Sequence, residues 1–272
     1  MSLPNMAPPI VTLLTDFGQS DYFVAAMKGV ILRRNPSAVC IDITHEISPQ
    51  NVVSAAYVLL AGQASFPPGT IHVAVVDPGV GSERKPLVVH ACEQLFVGPD
   101  NGLFSLIIEK DPQFRAYEIT HPDFIGAKVS STFHGRDIFA EAAGALSQGA
   151  SAAAAGPPAV SVKRFPDAIS QRVSNHEFES FIIHIDHFGN CITGITRKSL
   201  PADALNRPFS VEIRGRRIER CKSYYTESPV EIGAPFLIWG SADFLEISVT
   251  EFSAADLLRL KFGDRVKLRM EA

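Results

Sequence analysis

Two aspartates and a histidine stand where chemistry could be done. Asp16 directly follows the apolar, β-branched run of residues 10–15, and Asp77 follows a second such run at 71–76. Runs of this kind read as buried parallel strands, and open α/β sheets bind ligands beyond the carboxyl ends of their strands. Both carboxylates are therefore expected on one edge of a sheet, although either alone could simply close a turn or cap a helix. His134 lies in Thr132-Phe-His-Gly-Arg-Asp137, at the expected start of a helix. The positive end of the helix dipole there favours a neutral imidazole, which can take a proton or orient a water near neutral pH. A capping role for His134 is the alternative.

Three other patterns carry no chemistry. Asp16-Phe17-Gly18 spells the magnesium triplet of kinases, but nothing upstream could supply the glycine-rich loop, lysine strand and catalytic loop that go with it. In Ile185-Asp186-His187 the acid and the imidazole are successive strand residues and face opposite ways, so one metal would not take both. Gly79-Val80-Gly81 is too short for a dinucleotide fingerprint, with no clear helix after it. The four cysteines, Cys40, Cys92, Cys191 and Cys221, form no C-x-x-C pair and read as reduced, mostly buried thiols.

The elements that must hold these residues alternate. Strands are expected at 10–15, 39–43 and 71–76, and helices over the segments carrying Phe23, Met27, Val30 and Ile31 and at 51–65. That order implies a mostly parallel sheet covered by helices. A mixed stretch at 87–97 follows, then a helix over 134–148. The Ala/Gly/Pro-rich segment 149–158 fits a flexible linker or a last helical turn and reads best as a connection into a second domain, giving boundaries of 1–170 and 171–272. Short strands at 181–185, 191–195, 209–213, 235–239 and 244–249 make that domain a small all-β barrel.

Bulk properties bound the partners. The chain has 272 residues and a formal net charge of −4, which gives no electrostatic reason to expect nucleic acid or anionic lipid. No apolar run approaches the ~20 residues needed to span a bilayer. The start lacks the basic and apolar regions of a secretion signal, so the cytoplasm is the expected compartment.

Taken in order, the segments Leu14-Thr-Asp-Phe-Gly18, Asp42-Ile-Thr-His45, Val76-Asp-Pro-Gly-Val-Gly81 with Arg84, Gly98-Pro-Asp-Asn-Gly102, Ser131-Thr-Phe-His-Gly-Arg-Asp137, Ile185-Asp186 with Phe188-Gly-Asn190, and Gly240-Ser241 with Leu245-Glu-Ile247 resemble the S-adenosylmethionine (SAM) hydrolases, or hydroxide adenosyltransferases. That family is related to SAM-dependent fluorinating and chlorinating enzymes. The resemblance implies an α/β amino-terminal domain, a carboxyl-terminal β-barrel, and a homotrimer whose sites are shared between subunits. SAM would be the substrate, with no cofactor and no metal. Asp16 would hold the ribose hydroxyls, and Phe133 and Phe188 the nucleoside faces. Asn190 and the backbone of Ala254 would meet the adenine edge. Asp186, Ser241 and Glu246 would hold the methionine end. Asp77, Arg84 and His134 would handle the water. Halogenating relatives carry tyrosine at the position of Asp77 and serine at that of Gly135, and this chain has neither. Phe252-Ser253-Ala254-Ala255 departs from the Gly-Asn-Ala-Ala of many relatives.

The implied reaction is in-line attack of activated water at the ribose 5′ carbon, giving adenosine and methionine. The sulfonium leaves as a neutral thioether and needs no acid, so the difficulty lies with water, whose pKa is about 15.7. The alternatives are a SAM-dependent halogenase, a metal-dependent hydrolase built on Asp16, Asp77, His134 and Asp137, and a non-catalytic SAM or adenosine binder.

Overall fold

The structure, a computed structural model, describes residues 7–165, 169–201, 207–227 and 231–270. Met1–Arg164 and Phe165–Ala272 form two separate compact units.

Apolar residues on both faces of the first sheet determine its layers. In β1 (Ile10–Thr15), Val11 and Leu13 join one core and Leu14 the opposite one; in β3 (Ile71–Val75), Val73 and Val75 oppose Ala74 in the same way. A sheet apolar on both faces needs helices on both. Met27, Val30 and Ile31 of α1 (Phe23–Arg34) cover one face, with Ala142, Ala143 and Leu146 of α4 (Glu141–Ser147). Ala55 and Leu59 of α2 (Val52–Gln63) cover the other, with Ile107 and Ile108 of α3 (Ser105–Lys110).

With β2 (Val39–Thr44), β4 (Pro86–Ala91), β5 (Gln94–Pro99) and β6 (Arg115–Glu118), the strand order is β2-β1-β3-β5-β4-β6. The pairs β2/β1, β1/β3 and β3/β5 are parallel, whereas β4 is antiparallel to both its neighbours. The sheet is thus mixed rather than mostly parallel throughout. The cause lies in Cys92 and Glu93, which join β4 to β5 with φ of 51° and 59°. Two consecutive positive φ values build a two-residue hairpin, and a parallel crossover needs a far longer connection.

The segment at 149–158 belongs to this first unit and is no free linker. Its Ala155 carbonyl accepts from the N–H groups of Thr120 and His121, and the Pro157 carbonyl from that of Glu118. Ala155 itself is fully buried.

The second unit contains β7 (Ser170–Arg172), β8 (Glu177–Ile185), β9 (Cys191–Thr196), β10 (Phe209–Ile213), β11 (Arg216–Ile218), β12 (Cys221–Lys222), β13 (Pro235–Trp239), β14 (Phe244–Val249) and β15 (Arg265–Met270). Their order is β11-β10-β15-β8-β9-β14-β13-β12, with β7 on β8, and every pairing but β12/β13 is antiparallel. The first half of β8 pairs with β15 and its second half with β9, so the sheet turns a corner along one strand and curls into a half-barrel. The unit is not wholly β: a short helix, α5 (Ala254–Leu258), follows β14. Among the described residues no helix is long and apolar enough to cross a membrane.

Candidate active site

In the first unit the site grows from neighbouring strand ends. β1 and β3 are adjacent and parallel, with Thr15 opposite Val75, so Asp16 and Asp77 leave the sheet at the same edge. The chain departs from β1 toward β2 on one side and arrives at β3 on the other, the switch point at which open sheets form a crevice. The third strand end, at β5, supplies support: the Asn101 side-chain amide donates to the Val76 carbonyl at 2.8 Å, immediately before Asp77.

Asp77 meets Arg84 in a fork. The Arg84 Nε lies 3.0 and 2.9 Å from the two carboxylate oxygens, and a terminal nitrogen also donates to Oδ2. Both side chains are only 5% exposed, so water does little to screen the pair. The same terminal nitrogen lies 2.7 Å from His134 Nδ1. A guanidinium can only donate, so Nδ1 must be unprotonated and the neutral ring carries its proton on Nε2. Burial, and next the charge of Arg84, push the His134 pKa below the ordinary histidine value of 6.5, against the opposing pull of Asp77 and Asp137. His134 in this arrangement is a hydrogen-bond donor through Nε2. Among the described residues, Asp77 Oδ1 accepts from Arg84 Nε alone, whereas Oδ2 accepts from Nε and a terminal nitrogen. Arg84 also lies 5.1 Å above the ring of fully buried Phe139.

Two loops carry these groups and are locked together. Gly81 has φ of 78°, and a Cβ there would stand 2.5 Å from the Ser131 carbonyl. The loop bearing Arg84 therefore packs directly on the loop before His134. Asp137 ties the latter loop by accepting from Ser130 N–H at 2.8 Å and from Arg136. The 134–148 segment, expected as one helix, begins as a π-helical turn, Gly135–Ala140, and only then becomes α4. Single π turns recur at functional sites because they re-aim side chains.

Asp16 accepts from the Gln50 N–H at 2.8 Å through Oδ2. Phe133 is buried in an aromatic cluster, edge-on to Phe17, Tyr22 and Phe23.

The second unit brings a separate set together. Asp186 Oδ1 accepts from the N–H groups of Phe188 and Asn190, at 2.9 and 2.8 Å, and Oδ2 from the Asn190 side chain at 2.8 Å. Asp186 thus shapes the 186–190 turn, leaving Asn190 Oδ1 and one amide proton for other partners. The Gly189 carbonyl accepts from Ala255 N–H, which brings Ala254 beside this turn. Ser253 caps α5, its hydroxyl accepting from Asp256 N–H at 3.0 Å. Asparagine would do the same, so the departure at Ser253 preserves the local fold. Phe188 projects outward, 75% exposed, and Ser241 is exposed.

Glu246 pairs with Ile192 across β14/β9, close to Asn190 in sequence and register. It is buried, and burial raises its pKa, reinforced by the Asp186 charge and opposed by a 3.2 Å hydrogen bond from the Tyr225 hydroxyl. Burial also raises Tyr225, to about 12, so it remains a donor. Tyr225 had no local signal in the sequence, and its partner is 21 residues away. A Cβ at Gly240 would fall 1.8 Å from Glu246 Oε1, so the carboxylate keeps this position only beside a glycine.

The proposed ligands of a metal are otherwise engaged. Asp77 is forked to Arg84 and Asp137 to Arg136. Among the described residues no three His, Cys, Asp or Glu side chains converge on one point.

An α/β unit with an acid–guanidinium–imidazole cluster at its switch point, joined in sequence to a curled β unit bearing two carboxylates and an amide, defines a small-molecule enzyme. The chain belongs to the SAM hydroxide adenosyltransferase family: residues 11–156 match the family's N-terminal domain and 180–267 its C-terminal domain. Its relatives include the (R)-S-adenosyl-L-methionine hydrolase of Salinispora arenicola, 36% identical over 96% of this chain and 97% of that one. The hydrolase of the same name from Thermus thermophilus is also 36% identical, over 95% and 98%. A fluorinase of Nocardia brasiliensis is more distant, 25% identical over 99% and 100%. Among solved structures, an uncharacterized conserved protein from Thermotoga maritima superimposes with a TM-score of 0.84 at 32% identity, covering 95% of this chain and 99% of that one.

Proposed function

We propose that this chain hydrolyses (R)-S-adenosyl-L-methionine, the substrate in its hydrolase relatives' names, to adenosine and L-methionine. The observation that carries the reading is the Asp77–Arg84–His134 cluster, in which the Asp77 and Arg84 side chains are buried and His134 is half-buried. A non-catalytic binder has no use for a guanidinium buried against both a carboxylate and an imidazole.

A water held at the cluster attacks the 5′ carbon in line with the departing sulfur. The C–O bond forms as the C–S bond breaks, its electron pair neutralises the sulfonium, and the water's proton leaves by way of Asp77. Arg84 draws negative charge onto the attacking oxygen without losing its own proton. His134 orients that oxygen through Nε2–H. Joining a hydroxide-like oxygen to a cation cancels charge, a step favoured in a dry pocket.

Asp16, with Oδ1 not engaged by Gln50, takes the ribose hydroxyls, and Phe133 lies against the nucleoside. Phe188, Asn190 and Ala254 meet the base, while Asp186, Ser241 and Glu246 take the methionine ammonium and carboxylate. In the full reading the protein is a cytoplasmic homotrimer, each site combining the first unit of one subunit with the second unit of its neighbour. Mixed assemblies of His134→Ala and Asn190→Ala chains should then regain activity that neither has alone. Failure to regain it, with exchange verified by mass labelling, contradicts the shared site.

Chromatography of products after incubation with SAM and excess chloride tests the activity. Adenosine with methionine supports it, and a 5′-chloro nucleoside or unconsumed SAM contradicts it.

A further inference from the structure

We infer that His45 is a positioning residue for the ribose site, holding the 15–18 loop in the form that presents Asp16. The inference rests on the reading of Asp16 as the ribose ligand. His45 is 1% exposed and grips the loop twice. Its carbonyl accepts from Gly18 N–H at 2.8 Å, and its Nδ1 lies 2.8 Å from the Thr15 hydroxyl. That hydroxyl in turn accepts from Phe17 N–H at 3.2 Å. The residues on either side of Asp16 are therefore both fixed through one hydroxyl and one ring.

The His45 Nε2 lies 3.0 Å from Asp42 Oδ1, within ion-pair range but without hydrogen-bond geometry, and Lys28 donates to the other carboxylate oxygen at 2.6 Å. Burial alone would raise the Asp42 carboxyl, but the contacts with Lys28 and His45 outweigh it and hold its pKa below the ordinary carboxylate value. The Thr15 hydroxyl already accepts from Phe17 N–H, so its own proton is available to Nδ1. The β1/β2 pairing shifts register by one residue between Leu13 and Leu14, just before Thr15. Such a bulge changes where the following residues point. The far end of the same segment returns to Asp16, where Gln50 N–H meets Oδ2. Residues 45–50 thus hold the carboxylate from two sides, and none of these contacts reaches the water-handling cluster.

The measurement is the ratio of kcat/KM for SAM over that for its 2′-deoxyribose analogue, in the full-length chain. Thr15→Val keeps the side-chain shape and removes only the hydroxyl. The ratio should fall by about five-fold or more, the loss of one buried hydrogen bond, with the rise in KM exceeding the fall in kcat. Thr15→Ser should restore most of the ratio. Asp42→Asn, at a partly exposed position and so safe for folding, should lower it less. A purely structural role would lower thermal stability and active fraction but leave the ratio unchanged. Asp16→Ala is the control and should bring the ratio close to one. If Asp16→Ala does so while Thr15→Val and His45→Asn keep the parent ratio, the positioning role is overturned. If Asp16→Ala itself keeps the ratio, the ribose assignment fails and the inference falls with it.

Discussion

Arg84→Lys keeps the positive charge and removes the fork, which makes it the most informative single change. Arg84 reaches both oxygens of Asp77 and Nδ1 of His134 at once, from a side chain 5% exposed. One ammonium cannot span those three acceptors, so lysine must give up at least the His134 contact or half of the carboxylate fork. Each charge-assisted hydrogen bond lost in a buried site costs about 1.5–3 kcal/mol. If that loss falls on the transition state, kcat should drop by roughly 10–150-fold. Since Arg84 makes no proposed contact with the nucleoside or amino acid, KM should move by less than about three-fold. The assay is steady-state adenosine release, with circular dichroism to verify folding. A folded variant whose kcat is within a few-fold of the parent, or whose KM rises while kcat holds, would refute the placement of Arg84 at the attacking oxygen.

Other expectations follow from the same geometry. Because burial and Arg84 hold His134 below pH 6.5, kcat/KM should keep its full value at neutral pH and decline only on the acid side of 6.5, as protonation of Nδ1 breaks the Arg84 contact; an acid limb centred above 6.5 contradicts this. His72 is fully buried between the Thr12 hydroxyl and Gln94, and burial holds its pKa at about 4 against an ordinary 6.5. The unfolded chain takes up the proton first, so about 3 kcal/mol of stability should be complete above pH 6.5 and be lost as pH falls toward 4. Urea titrations of the parent and His72→Gln should show a flatter pH dependence for the variant, and parallel curves would contradict it. Gly240→Ala sets a methyl group on Glu246 Oε1 and should displace that carboxylate. The same change should raise KM for SAM more than it lowers kcat, and an unchanged KM would remove Glu246 from the methionine site.

The parts of the fold legible in the sequence were those fixed by local periodicity. β1, β2, β3, α1 and α2 have continuous apolar runs or a helical stripe, and with them came the shared sheet edge of Asp16 and Asp77. The hairpin at Cys92–Glu93 was not legible, because neither residue is glycine and non-glycine residues seldom take positive φ. The π-helical turn was hidden for a different reason: it is as apolar on its inner face as an α-helix, and one extra residue per turn leaves no compositional mark. The Ala/Gly/Pro segment leaves two readings open because small residues suit both a linker and a turn packed against β6, and only the partner strand decides between them. Among the candidate residues of the two units, Arg84, Asn190 and Glu246 stand out by family resemblance alone. Their roles depend on pairings between distant residues, such as Arg84 with His134 and Glu246 with Tyr225, which no local pattern encodes.

Hydrolysis in ¹⁸O-enriched water tests the central claim most directly. The account predicts that one labelled oxygen appears in the 5′ hydroxyl of adenosine and none in methionine, and that Arg84→Lys slows its appearance without redirecting it. Adenosine free of label, label in the methionine carboxylate, or a product other than adenosine would contradict attack of water at the 5′ carbon by the Asp77–Arg84–His134 cluster.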